Sequence, residues 1–237
     1  MELLQKYQEK TKELSWPDLL ILTFVLWAFG IAGSTISYIR LLRGSASIEE
    51  NLTFSSLDDY RMLAIQAGCL LVALLYLRLR QFDFSTWKIS FHIRAFAAGV
   101  LIFLSGALLV DLFHIVTSPL QAVLPFPHPI GAFFGNETVS KIIYAAFNGV
   151  YEELYFLGIC LAVPPKRLKW AVPFSMLVRF SFHTYQGMLS AISIGFLFGG
   201  FAYLLYRRSK SKNLLPFFVA HAIADVFGIG ILYYILR

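Results

Sequence analysis

The sequence predicts an all-α, multi-pass membrane bundle of about seven transmembrane helices, and three observations carry that expectation. Of the 237 residues, 58% are hydrophobic and only 14% are charged, too little charge to cover the surface of a water-soluble domain of this length. The apolar residues gather into seven segments, at about 17–39, 60–79, 95–117, 142–163, 170–185, 186–206 and 214–236. Most are close to the roughly 20 residues that cross a hydrocarbon core as a helix. The basic residues then alternate with those segments. Seven crossings put Lys6, Lys10, Lys12, Arg78, Arg80, Lys88, Arg94, Lys166, Arg167, Lys169, Arg207, Arg208, Lys210 and Lys212 on one side. Only Arg40, Arg43, Arg61, Lys141 and Arg237 fall on the other. Lysine and arginine concentrate in cytoplasmic loops, so the N-terminus is expected on the cytoplasmic side of a cell membrane and the C-terminus outside.

Taken in order, the chain begins with a polar stretch of mixed charge and no small-residue cleavage site, so no cleavable signal peptide is expected. Between the second and third segments, Phe82, Phe84, Trp87 and Phe91 are spaced among polar residues, the pattern of a stretch lying at the membrane interface. The loop at 118–138 holds four prolines and two glycines and is not expected to be regular helix. The fifth segment is short and carries Arg179 and His183. Cys69 and Cys160 lie in separate apolar segments and read as buried free thiols, with no CxxC spacing for a metal. No internal repeat or second domain is visible, so residues 1–237 are expected to form one polytopic membrane domain. The net charge of +6 has its source in the basic loops, and no nucleic-acid partner is expected.

Against this apolar background the polar residues at membrane depth are few: Asp111, His114, Glu152, Glu153, Arg179, His183, His221 and Asp225. Each costs a few kcal/mol or more to insert, so such residues mark places where protons, ions or water are handled. Glu152 and Glu153 are adjacent in a stretch, 142–163, whose only other strongly polar side chain is Asn148. Adjacent residues on a helix point about 100° apart, so the two carboxylates cannot serve one small site equally. One is expected to do chemistry and the other to be held by a structural partner. His221 and Asp225 are spaced to share a helix face, as are Arg179 and His183. Asp111 and His114 are expected to form a packing pair or an interfacial polar contact near the end of the third segment.

At these residues the sequence resembles the CAAX-protease and bacteriocin-processing (Abi) family of intramembrane glutamate endopeptidases. The resemblance spans about 140–230 and rests on three short motifs in order on separate segments. These are Glu152-Glu153 followed by Gly158, then His183, then PFFVAHAIAD at 216–225 with His221 and Asp225. The family patterns are EExxxR, FxxxH and HxxxN/D. The resemblance implies a membrane-embedded peptidase working without metal or other cofactor, with Glu152 as the base that activates water. It further implies that His183 orients the water or passes a proton to the leaving amine, that His221 donates to the oxyanion, and that Asp225 orients His221 through its ring N–H. The implied substrate is a membrane-associated peptide: a CAAX-type tail, or a bacteriocin or signalling-peptide precursor. The implied partners are that peptide and the bilayer.

Two positions depart from the pattern. The arginine of EExxxR falls at Leu157, and the phenylalanine of FxxxH falls at Arg179. Arg179 is therefore expected to supply, from the next helix, the charge that pairs with Glu153. Two other readings of the residues stand beside the peptidase. Glu152, His183 and His221 have the ligand types of a zinc hydrolase, although no HExxH pair fixes two histidines on one helix. The same polar residues would also suit a non-enzymatic protein, either an immunity or scaffold protein in which they bind helices together by hydrogen bonds, or a proton-coupled transporter, although no repeated halves are visible.

Overall fold

The computed structural model describes residues 10–121 and 138–232, and these form a helical bundle. The helices are α1 (Trp16–Leu42), α2 (Ile48–Leu52), α3 (Ser56–Leu79), α4 (Ile93–Gln121), α5 (Val139–Glu153), α6 (Leu168–His183), α7 (Met188–Arg208) and α8 (Leu215–Phe227). Local chemistry sets several boundaries. The hydroxyl of Ser15 accepts from the Asp18 N–H while the Asp18 carboxylate accepts from the Ser15 N–H, a reciprocal cap that opens α1. Ser55 and Asp58 open α3 in the same way. Between α6 and α7 the chain reverses over Thr184–Gln186 and Gly187. Gly187 has φ +93°, a region that a side chain disfavours.

Among the described residues four helices, α1, α3, α4 and α7, are long and apolar enough to cross a membrane. The other three expected segments are also helical but shorter. α5 runs on through a π-helical stretch, Leu154–Ile159, while α6 has 16 residues and α8 has 13. The seventh expected segment extends to 236, and its last residues lie outside the described ones, as do Lys6, Arg237 and 122–137 of the proline-rich loop. The start of that loop needs a correction, because α4 continues through Pro119 to Gln121. A proline in the last turn removes a single backbone donor and leaves the preceding turns intact. Exposed apolar side chains such as Phe24, Phe29, Leu71 and Val116 cover the outer faces of α1, α3 and α4. On a bundle in lipid these surfaces meet hydrocarbon. The chain is a multi-pass membrane protein.

The interior is organised around Trp27 of α1. Its ring stacks on Phe182 of α6 at 4.1 Å between centroids and on Phe156 at 5.5 Å, with Tyr151 and Tyr155 edge-on. The interfacial stretch 81–92 packs Phe82, Phe84 and Trp87 against one another at 5.2–5.6 Å. Thr11 pairs with it, donating to the Gln81 carbonyl at 2.9 Å and accepting from the Asp83 N–H at 2.8 Å.

α8 lies against both α4 and α5, and it is fixed at its two ends. Before it, the Asn213 side chain exchanges hydrogen bonds with the backbone of Ser90, both at 2.9 Å. After it, Asp111 Oδ2 accepts from the backbone N–H groups of Ile231 at 2.7 Å and Leu232 at 2.9 Å. The acid expected to form a packing pair with His114 thus holds the chain that leaves α8. Gly149 allows α5 to approach α8 closely, since a Cβ there would lie 2.6 Å from the Phe218 carbonyl oxygen.

Candidate active site

The close approach at Gly149 brings the paired glutamates of α5 against His221 of α8, while α6 delivers Arg179 and His183 from the other side. Glu152, Glu153, Arg179, His183 and His221 are each between 1% and 8% exposed. Such burial of ionisable groups is tolerated only where they are paired and hydrogen-bonded.

The two carboxylates have different surroundings. Glu153 Oε1 accepts from Arg179 Nη2 at 2.7 Å and from His221 Nδ1 at 2.8 Å. The guanidinium also lies 4.1 Å over the Phe156 ring, a favourable cation–π placement. Glu152 Oε1 accepts from the Asn148 amide at 3.0 Å. Glu152 Oε2 has no hydrogen-bond partner among the described residues and faces His221 Nε2 at 3.5 Å. One imidazole therefore spans the pair, its Nδ1 toward Glu153 and its Nε2 toward Glu152. The divergence expected of adjacent helical residues appears as this division of partners.

Arg179 sits where the two motif departures meet. The same small cavity is lined by Leu157, Phe156, Ser175 and Met176 along with Arg179 itself. A cation from α6 and the leucine in the motif-arginine position of α5 are thus neighbours.

His183 closes α6. Its Nδ1 lies 2.7 Å from the Arg179 carbonyl oxygen. A carbonyl only accepts, so Nδ1 carries a proton, and in the neutral ring Nε2 keeps its lone pair. The ring lies close enough to Glu152 for a direct electrostatic interaction.

Asp225 differs from its expected arrangement. Its Oδ1 is 3.6 Å from His221 Nε2, too long for a hydrogen bond, and its Oδ2 accepts from Asn148 Nδ2 at 2.7 Å. The ring N–H expected to reach Asp225 goes to Glu153 instead, because Glu153 faces His221 across the α5–α8 contact. Two polar residues outside the motifs complete the cluster. Asn148 joins Glu152 to Asp225, and Gln66 of α3 donates to Asn148 Oδ1 at 2.6 Å. The signals for them were the i, i+4 spacing of Asn148 and Glu152 and a single amide within an apolar segment. Among the described residues, no group of three or more His, Cys, Asp or Glu side chains is placed to hold a metal ion.

Residues 134–227, which contain this whole cluster except Gln66, match the family model described as type II CAAX prenyl endopeptidase, Rce1-like. No curated protein and no solved structure matches the chain.

Proposed function

Residues 134–227 match the Rce1-like type II CAAX prenyl endopeptidase model, and on that premise we propose that the protein hydrolyses a membrane-associated peptide with water activated by Glu152. The coarser part of this reading, a CAAX-type membrane endopeptidase, is supported by the family match. The finer reading rests on one observation: the two glutamates are unequal. Glu153 is bound to a guanidinium and to the imidazole Nδ1 through one oxygen, whereas Glu152 has no guanidinium partner and turns Oε2, unpaired among the described residues, toward the imidazole Nε2.

Peptide hydrolysis needs a base for the water, a donor for the developing oxyanion and an acid for the leaving amine. In this reading Glu152 Oε2 takes a proton from water as the hydroxide adds to the scissile carbonyl. His221, doubly protonated with Nδ1–H on Glu153, presents its Nε2–H to the oxyanion. His183, with Nδ1–H tied to the Arg179 carbonyl, accepts at Nε2 the proton that Glu152 took and passes it to the amine nitrogen as the C–N bond breaks, which returns Glu152 to the carboxylate. Glu153 and Arg179 orient His221 and supply fixed charge. Asp225 lies beside His221 and is held by Asn148. The substrate is a peptide delivered at the membrane, either a prenylated CAAX-type tail or a lipophilic peptide precursor.

The purified protein in proteoliposomes, given farnesylated CAAX-type peptides and membrane-active precursor peptides, tests this reading by mass spectrometry of the products. Glu152→Gln keeps the size and loses the base, and cleavage is expected to fall about 10²–10⁴-fold or more. Cleavage is expected to persist in EDTA and in 1,10-phenanthroline. Full activity in Glu152→Gln would refute the base, and loss on chelation restored by zinc would favour the metal hydrolase.

A further inference from the structure

Asn148 stands one helical turn before Glu152 and belongs to none of the motifs, yet it occupies the centre of the polar cluster. It is buried, 4% exposed. Its amide nitrogen has two hydrogens and spends one on each of two carboxylates, Glu152 Oε1 at 3.0 Å and Asp225 Oδ2 at 2.7 Å. The amide cannot be turned over without setting its oxygen against both acids. Its outward oxygen then needs a donor, and Gln66 Nε2 provides one at 2.6 Å. Gln66 is itself buried, 6% exposed. Its second contact, to the Tyr144 hydroxyl at 3.4 Å, is also made through Nε2, and its own carbonyl oxygen has no partner among the described residues. An unpaired buried carbonyl is costly, so the fold holds Gln66 by its donor end.

We propose that Asn148, locked by Gln66, is a positioning residue for the base. It fixes Glu152 by Oε1 so that Oε2 is aimed at the reacting water, and it shields Glu152 from Asp225. Both acids lie near His221 Nε2, at 3.5 Å and 3.6 Å. Two carboxylates so close repel one another unless donors stand between them. Gln66 acts only through Asn148. This inference rests on the assignment of Glu152 as the base.

The test uses the full-length protein in proteoliposomes with a peptide that wild type cleaves. Asn148→Leu keeps the volume and removes both donors, and kcat is expected to fall about 10- to 100-fold with KM within about twofold. Gln66→Met frees the amide and is expected to lower kcat by a smaller factor, again with KM unchanged. The double variant is expected to match Asn148→Leu alone, because residues acting through one another are non-additive. Wild-type kcat in Asn148→Leu, losses that multiply in the double variant, or an effect confined to KM would overturn the proposal. Should Asn148→Leu not fold, Gln66→Met alone decides, with wild-type kcat counting against the proposal and a lowered kcat for it. An inactive Glu152→Gln beside fully active Asn148→Leu and Gln66→Met sinks this inference alone. An active Glu152→Gln sinks the assignment of the base.

Discussion

Arg179 is a guanidinium only 2% exposed, closed in by Glu153, Phe156 and Phe198. Removing one member of a buried ion pair leaves the other charge stranded, at a cost of about 3–5 kcal/mol. Arg179→Leu is therefore expected to lose about that much stability, read from unfolding in detergent, and to lose cleavage with it. Leu157→Arg combined with Arg179→Phe restores the family arrangement and is expected to recover much of the loss. A silent Arg179→Leu would mean that Glu153 is held by His221 alone. The motif residues were legible in the sequence because each motif lies on one helix, where spacing along the chain fixes which side chains share a face. The partners of His221 were not. Whether its Nδ1 meets Glu153 or Asp225 depends on how α5 and α8 are rotated against each other, which no spacing within one helix encodes. Gln66 escaped for the same reason, since it gains its role from a neighbouring helix, whereas Asn148 stood at i, i+4 from Glu152 and only its bond to Asp225 depends on α8.

At the scale of the elements, the α5–α8 contact sets the site, and Gly149 sets the contact. A Cβ at 149 would meet the Phe218 carbonyl oxygen at 2.6 Å and the Ala222 backbone nitrogen at 3.0 Å. Both are backbone atoms that move only if α8 moves. Gly149→Ala is expected to destabilise the protein by about 1–3 kcal/mol and to lower kcat more than KM, because His221 and Asp225 ride on the displaced helix. Unchanged kinetics in a folded Gly149→Ala protein would show that the site tolerates a wider interface. The seven helical segments were legible from apolar runs. The π-helical stretches Leu154–Ile159 and Ser193–Phe198 were not, since they differ from α-helix in hydrogen-bond register and leave no compositional mark. The shortness of α6 was partly visible, because Arg179 and His183 interrupt its apolar run.

At the scale of the whole molecule, the uneven distribution of basic loops makes the orientation testable. Single cysteines within 166–169 and 207–212 are expected to react with membrane-impermeant reagents only from the cytoplasmic face, and cysteines within 45–56 only from outside. Labelling of 207–212 from outside would invert the bundle and the side from which substrate enters. The helix bearing His221 and Asp225 is anchored by Asn213 at its beginning and by Asp111 just beyond its end. A helix tethered at both termini has little freedom to slide or turn when a peptide arrives. On the proposed reading, His221 and Asp225 are then aligned before the encounter, and the reaction would proceed without waiting for them to reorient. Amide exchange across 215–227 is accordingly expected to be equally slow in the free protein and in a complex with an uncleavable peptide. The enzyme would meet its substrate as a rigid template, and selectivity would come from which peptides can bend to fit it.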